Sequence, residues 1–352
     1  MATQKFSKFI RPDAARPGQI TDRDLDIFDA VLRYRFCSAA QIVRLVGGNE
    51  DVTHRRMRRL WEGGLVARWA FPGLRAHSEF YYYLDSREPL DLLAERHHLE
   101  IHPQMLEEIR GHREKDYAGA AIRGQHMQLG FLNHGLMISR MHFMVEMACK
   151  RSGGTVALEA WCQGGQIAGH KVDVPKVRSS KVGGELFWQE VDETERVPVE
   201  PDALVTLRFN DRPQDRQLAH FFYEADRGTM VLTDMLWKFR GYHHFIKKQQ
   251  RHKEAFGIHP VRAVLVETTD EARGKRLMEL VNHPLVAGPA KRTGLFWFTI
   301  SPLFIDPVEG SPLPRYLSQP ELVLDPIWAL PDRGLRALGD LENSPASLQY
   351  GE

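Results

Sequence analysis

The strongest constraint in this chain lies between residues 200 and 226, where two short apolar runs each carry acids at one end. Asp202 opens the run Ala-Leu-Val-Thr-Leu-Arg-Phe, and Glu224 and Asp226 close the run His-Phe-Phe-Tyr-Glu-Ala-Asp. Both have strand length and strand composition, and a polar turn separates them. Side chains alternate along a strand, so Glu224 and Asp226 point to the same face of a sheet. If the two strands are neighbours, three carboxylates converge on one spot, and hard cations such as Mg²⁺ prefer oxygen ligands of this kind. Acids at strand ends are also ordinary solvated turn residues. The pattern names a candidate site without establishing it.

At 352 residues the chain has room for two or three domains. Its 47 Lys+Arg against 46 Asp+Glu leave it nearly uncharged, so a nucleic-acid surface has to come from local segregation of charge. Cys37, Cys149 and Cys162 show no CxxC spacing and make no disulfide framework, which fits a reducing cytosol. No apolar run suits a signal peptide or a membrane span, so a soluble cytoplasmic protein with no membrane partner is expected.

Residues 1–18 read as a flexible lead-in, and 19–86 as a small helical domain ending in a hairpin. Thr21 with Asp24, and Ser38 with Gln41, have capping-box spacing and open two helices. Gly47-Gly48-Asn49 ends the second. A third helix spans 52–61, with Val52, Met57 and Leu60 inward and His54, Arg55, Arg56, Arg58 and Arg59 on its other faces. Strands at 65–70 and 79–84 follow, joined by a tip carrying Arg75 and His77. From Thr53 to His77 six arginines oppose Glu62 alone, a local net of +5. Three short helices and a hairpin, with arginines on the third helix, describe a winged helix-turn-helix. Thr53, His54, Arg55, Arg56, Arg58, Arg59, Arg75 and His77 are then the expected contacts to double-stranded DNA. A charge run is also often a solvated face, and winged helices serve protein partners too.

Residues 87–124 read as a helical connector, with helices at 90–98 and 104–117. The longer helix at 125–150 has Phe131, Ile138, Val145 and Cys149 in one stripe. His142 lies in that stripe as an interior histidine, and Glu146 flanks it. A strand at 155–162 precedes an excursion or hairpin at 164–195. After the acid-bearing strands, a helix is expected over 233–256, with an apolar stripe of Met235, Leu236, Phe239, Tyr242 and Ile246. Arg240, Lys247, Lys248 and Arg251 fall about 120–220° from that stripe at 100° per residue and form a basic outer face, a second expected contact to DNA. Residues 226–254 hold seven Lys/Arg against three acids, a net of +4. Lys238 sits on the rim of the stripe, where it either snorkels to water or serves the carboxylates. A strand at 261–267, a helix at 274–281 and a strand at 295–300 complete an α/β domain over 125–305, and 306–352 read as a Pro-rich C-terminal tail. The fold class expected is α/β, α+β overall.

The order of a helix with Glu, a strand, a strand opened by Pro201-Asp202, a strand ending Glu224-Ala225-Asp226, a helix and a strand resembles the PD-(D/E)xK nuclease superfamily, a restriction-endonuclease-like mixed-sheet fold. The resemblance implies Asp202 and Glu224 as Mg²⁺ ligands, with Glu146 as the helix acid. Asp226 stands where that pattern has Lys: it could add a ligand but supplies no positive charge, and Lys238 would be a relocated lysine. The winged helix, the Pro-Asp-Ala strand and the block Tyr-Glu-Ala-Asp-Arg-Gly-Thr…Lys-Phe-Arg-Gly-Tyr are similar to replication-relaxation proteins of bacteria and plasmids, over about residues 20–300. That resemblance implies DNA binding linked to plasmid or mobile-element maintenance or gene control. A non-catalytic regulator, with a homodimer or other replication and mobilisation proteins as partners, is favoured because the lysine is missing from its expected position. The alternatives are a Mg²⁺-dependent endonuclease using Asp202, Glu224, Asp226 and Lys238, and a partner-binding platform in a larger nucleoprotein complex.

Overall fold

The computed structural model describes residues 11, 18–69, 79–98, 129–182, 185–288, 293–331 and 333–340, with the backbone alone at 129, 179–182 and 185–187. Arg75, His77 and the helix expected at 104–117 lie outside the described residues. The protein is a mixed α/β chain that divides into two units, Met1–Phe143 and Met144–Glu352. Among the described residues no helix is long and apolar enough to cross a membrane.

The first unit runs α1 (Asp22–Tyr34), β1 (Cys37–Ser38), α2 (Ala39–Val46), α3 (Glu50–Glu62), β2 (Ala67–Trp69), β3 (Tyr81–Tyr83) and α4 (Glu88–His97), and then enters α5 (Leu129–Arg151). Both capping boxes form: Asp24 accepts the Thr21 backbone N–H at 2.7 Å, and the Ser38 hydroxyl accepts the Gln41 N–H at 3.1 Å. The strands pair antiparallel in the order β1-β3-β2. Ile27, Phe28, Val31, Ile42, Met57, Leu60 and Trp61 are buried in this unit. Val52, expected inward, is 44% exposed. The helix starts at Glu50 behind an Asn49 cap, and its buried positions run Thr53, Met57, Leu60, Trp61, a phase that turns Val52 out. Arg68 is buried with its guanidinium over the Trp61 ring at 3.4 Å. Along the first part of α5, the Ser139 hydroxyl donates to the Phe36 carbonyl. His142 is an interior histidine stacked on Tyr34 at 4.1 Å.

The second unit is built on a seven-stranded sheet. Its members are β4 (Val156–Gln163), β7 (Ala203–Phe209), β8 (Leu218–Ala225), β9 (Val261–Thr268), β10 (Phe296–Ile300), β11 (Trp328–Leu330) and β12 (Gly334–Arg336), in the order β12-β11-β10-β9-β8-β7-β4. β4, β7 and β8 pair antiparallel, β8, β9 and β10 parallel, and β11 and β12 antiparallel again. Phe222, Val264, Val266, Phe296 and Phe298 form one core with Met235, Leu236, Phe239 and Tyr242 of α6 (Leu232–His243) and with Leu277 and Val281 of α8 (Glu271–Val281). Burying a side chain of this size contributes about 1.5–3 kcal/mol, so α6 is fixed mainly by that stripe.

Two sequence expectations change here, and a third is made specific. The helix expected over 233–256 ends at His243, continues as a π-turn at His244–Lys248, and resumes as α7 (His252–Phe256) after Gln250 at φ 52°. The excursion at 164–195 holds a ribbon, β5 (Lys171–Val182) against β6 (Glu185–Pro198). A lone two-stranded ribbon is marginal in water; this one places Val172 and Val174 in the α6 core, with Val199 just beyond its end. A Cβ on Gly241 of α6 would lie 3.0 Å from Val197, so the glycine permits the close approach. Within 306–352, read as a tail, Trp328–Leu330 and Gly334–Arg336 are strands of the sheet, with Trp328 fully buried. Three-residue strands punctuated by Pro give too little periodicity to be seen in sequence.

Gly135 in α5 tests the packing of the first unit, because an added Cβ would come within 2.6 Å of the buried Phe36 ring. Gly135→Ala is expected to lower unfolding stability by about 1–3 kcal/mol despite the better helix propensity of Ala. Denaturant titration reads this directly, and a stabilised variant would show that Phe36 moves freely.

Candidate functional site

Two of the three acids meet. Asp202 precedes β7, and its backbone N–H donates to the Tyr223 carbonyl at 3.0 Å. The register Ala203↔Tyr223 sets Asp202 across from Glu224. The Asp202 carboxylate accepts the Ala225 N–H at 2.7 Å. Glu224 is buried on the face covered by α6, which delivers two donors to it. Lys238 Nζ lies 2.5 Å from one carboxylate oxygen, and the Tyr242 hydroxyl donates to the other. Lys238 and Tyr242 are four residues apart and share a helix face. Lys238 keeps a quarter of its side chain exposed while Glu224 keeps 4%, so the cluster opens to solvent on the Lys238 side.

Burial pushes the Glu224 carboxyl up to about 7, and Asp202 adds to the rise against the pull of Lys238 and Tyr242. Burial works against the Lys238 charge, yet Glu224 and Asp202 outweigh it and hold the amine above the usual lysine value. Burial, then the Glu224 charge, lifts the Tyr242 hydroxyl well above its ordinary range, so it acts as a donor. Tyr242 is the site residue that reading the sequence missed. It counted as one more apolar stripe position, although its i+4 spacing from Lys238 was visible.

Asp226 does not join this pair. It is on the same helix-bearing side but is saturated: one oxygen accepts Arg273 Nη2 (3.2 Å) and the Gly228 N–H (3.0 Å), the other Arg273 Nε (3.0 Å) and the Thr268 hydroxyl (2.7 Å). Its four acceptor positions are filled by protein donors rather than turned to Asp202 and Glu224. Arg273 also donates to the Met230 carbonyl at 2.7 Å, so Asp226 anchors the 227–231 loop that leads into α6. Glu146 is buried and accepts Lys150 Nζ at 2.6 Å. Among the described residues no group of three His, Cys, Asp or Glu is placed to hold a metal ion. The expected three-carboxylate centre is a pair of carboxylates with a lysine and a tyrosine.

The basic residues of α3 divide sharply. Thr53 is buried, accepting from Arg23 at 2.5 Å and donating to the Asn49 carbonyl at 3.0 Å, so it faces inward rather than to a ligand. The Arg56 guanidinium donates to both oxygens of fully buried Asp24. Burial tends to raise the Asp24 pKa, but Arg56 and Thr21 outweigh it and hold the carboxyl below its usual value. His54, Arg55, Arg58 and Arg59 are exposed and fall within an arc of about 140° at 100° per residue. Arg58 pairs with Glu62 at 2.7 Å.

Arg240, expected on the basic outer face of α6, is fully buried, and its guanidinium donates to Glu190 of β6 at 2.7 Å. The ribbon covers that side of the helix, which helical phase alone cannot reveal. Lys247, Lys248 and Arg251 are exposed on and after the π-turn, with Arg251 3.7 Å from Asp173.

Fold and site together define a two-unit α/β protein with an arginine-bearing helix in one unit and a buried acid–lysine cluster in the other. The family model described as replication-relaxation matches residues 28–261, well over half of the chain, and the chain belongs to that family. No curated protein and no solved structure matches it.

The Glu224 carboxyl makes stability depend on pH. Its folded pKa of about 7 lies above the ordinary 4.5, so the folded state holds the proton more tightly. The resulting stabilisation is complete below pH 4.5 and is lost as pH rises through about 7, up to about 3 kcal/mol. Denaturant unfolding across that window should show a falling contribution that Glu224→Gln abolishes; identical slopes in both proteins would mean the carboxyl titrates normally.

Proposed function

We propose that the chain is a DNA-binding protein of the plasmid or mobile-element type, acting in replication, mobilisation or transcription control. Residues 19–86 act as a winged helix-turn-helix with α3 as the reading helix. The observation that carries this is the exposed stripe of His54, Arg55, Arg58 and Arg59 on a helix whose opposite face is core. A helix of this kind enters a major groove with its guanidinium groups at phosphates and base edges. The order of three helices and a small antiparallel sheet supports the assignment, and family membership supports the replication setting. Residues 125–305 act in this reading as a restriction-endonuclease-like domain used for DNA contact or assembly.

A second reading is favoured by one observation, the 2.5 Å approach of Lys238 to Glu224 beside Asp202. In it, that domain is a Mg²⁺-dependent endonuclease. Asp202 and Glu224 would hold the ion, which supplies Lewis-acid charge neutralisation; Lys238 contributes a fixed positive charge, and Tyr242 orients the Glu224 carboxylate.

Replacing Arg55, Arg58 and Arg59 together with Ala is expected to weaken duplex binding and flatten its salt dependence by about 2–3 in log–log slope. Unchanged binding at moderate salt would retire the winged-helix reading. Arg56→Ala behaves differently: it removes the charged partner of buried Asp24, leaving only Thr21, and costs on the order of 2 kcal/mol of stability. For the second reading, supercoiled plasmid is nicked in Mg²⁺ and the nicking disappears in Asp202→Ala and Glu224→Gln. Absence of nicking in the parent protein, or persistence in both variants, removes the nuclease.

A further inference from the structure

Arg240 is the one arginine among the described residues with two buried guanidinium nitrogens left unmatched, where others have one. Its side chain is 1% exposed, while the side chain of its partner Glu190 is 48% exposed. Only Nη2 is matched, by one oxygen of Glu190; Nε and Nη1 are buried with no acceptor among the described residues. A desolvated guanidinium with open N–H groups is costly, and arginine ordinarily engages an anion through two parallel bonds. One carboxylate oxygen therefore fills a site built for more acceptors than Glu190 supplies.

The surroundings point to the missing ligand. The Trp237 ring lies 5.7 Å from the guanidinium, and Trp188 of β6 packs on Trp237 at 5.9 Å. One turn beyond, His244 begins the π-turn, an irregularity common at functional sites. Burial, then the charge of Arg240, holds its imidazole below the ordinary histidine value, with Lys248 adding and Glu190 opposing. Exposed Lys247 and Lys248 continue the turn. On β5, Asp173 is engaged by Arg251 at 3.7 Å and gives its carbonyl to Gln249 at 2.5 Å. Glu190 is the carboxylate on Arg240.

We propose that Arg240, His244 and Lys248 form a phosphate-binding site for the nucleic-acid backbone, and that Glu190 occupies it as an internal stand-in until a phosphate displaces it. A tetrahedral phosphate offers the extra oxygens that Nε and Nη1 lack. Glu190 can leave by rotating its exposed side chain, without unpairing β6. The contact keeps the second unit weak for nucleic acid until the strand is at hand. The source of the phosphate rests on the DNA-binding reading above; the anion site does not.

The test uses the full chain carrying Arg55→Ala, Arg58→Ala and Arg59→Ala, so that α3 contributes nothing and a failure of the winged-helix reading is seen separately in the parent protein. Binding of a short duplex and a short single strand is measured over a range of salt. Adding Glu190→Gln is expected to tighten binding to at least one of the two about 3–10-fold and to steepen the salt slope by about one. Glu195→Gln makes the same charge change on the same strand, at an exposed acid with no ion pair among the described residues, and should shift affinity less than about twofold. Arg240→Lys keeps a cation but loses the planar fork; placed on Glu190→Gln, in a protein shown folded by its thermal transition, it should cancel the gain. No gain from Glu190→Gln, an equal gain from Glu195→Gln, or a gain that survives Arg240→Lys overturns the proposal. Inorganic phosphate that raises the thermal transition of Glu190→Gln, with no tighter nucleic-acid binding, would assign the site to free phosphate instead and overturn the backbone assignment.

Discussion

The second unit depends on one requirement: Glu224 projects from a central strand into an apolar layer and must be matched there. An unpaired carboxylate in that layer would cost several kcal/mol. Both of its close donors, Lys238 and Tyr242, arrive from a single turn of α6. The stripe of Met235, Leu236 and Phe239 that seats the helix on the sheet therefore also sets the polar cluster. Packing and site are one construction: a helix rotated by one residue would lose its apolar contacts and strip Glu224 of its partners together.

Two acids two residues apart then do different work on the same side of the sheet. Glu224 keeps acceptor capacity beyond its two donors and sits next to Asp202, so its protonation is sensitive to its surroundings. Asp226 has none left. Its bonds to Arg273, Thr268 and the Gly228 N–H tie the sheet, α8 and the loop into α6 together. The arrangement divides a near-symmetric sequence motif into an anchor and a responsive group. What separates them is which helix lies overhead: α8 brings a bidentate arginine, and α6 a single ammonium and a hydroxyl.

Much of this was legible in sequence because it is local or periodic. Both capping boxes, the strands bearing Asp202 and Glu224, the apolar stripe of α6 and the mixed α/β class follow from spacing alone. What sequence could not reveal is what covers a face. Arg240 has the helical phase of an exposed residue, and the β5–β6 ribbon buries it. Thr53 and Arg56 belong to an arginine-rich helix, yet buried Asp24 and Arg23, about thirty residues earlier, claim them. The strands at Trp328–Leu330 and Gly334–Arg336 are too short for any period to emerge. For Arg240, Thr53 and Arg56 a long-range contact overrides a correct local reading.

The same distinction changes how charge should be counted. The net of +5 between Thr53 and His77 treats every arginine as equivalent, but their surroundings sort them into separate kinds. Arg56 is neutralised by an acid in the core and Arg68 is spent on the Trp61 ring. Arg58 shares its charge with Glu62 across an exposed pair worth little. Arg55 and Arg59 form no ion pair among the described residues, so the field that α3 presents outward is narrower than composition suggests, and it lies on one stripe. In the second unit the sorting runs further: Arg240 is the most buried cation and keeps unmatched donors. Exposure alone is therefore a poor guide to which cation can take a phosphate. A solvated arginine trades water for the ligand at modest gain, whereas a desolvated one with open N–H groups gains most from an anion that reaches it.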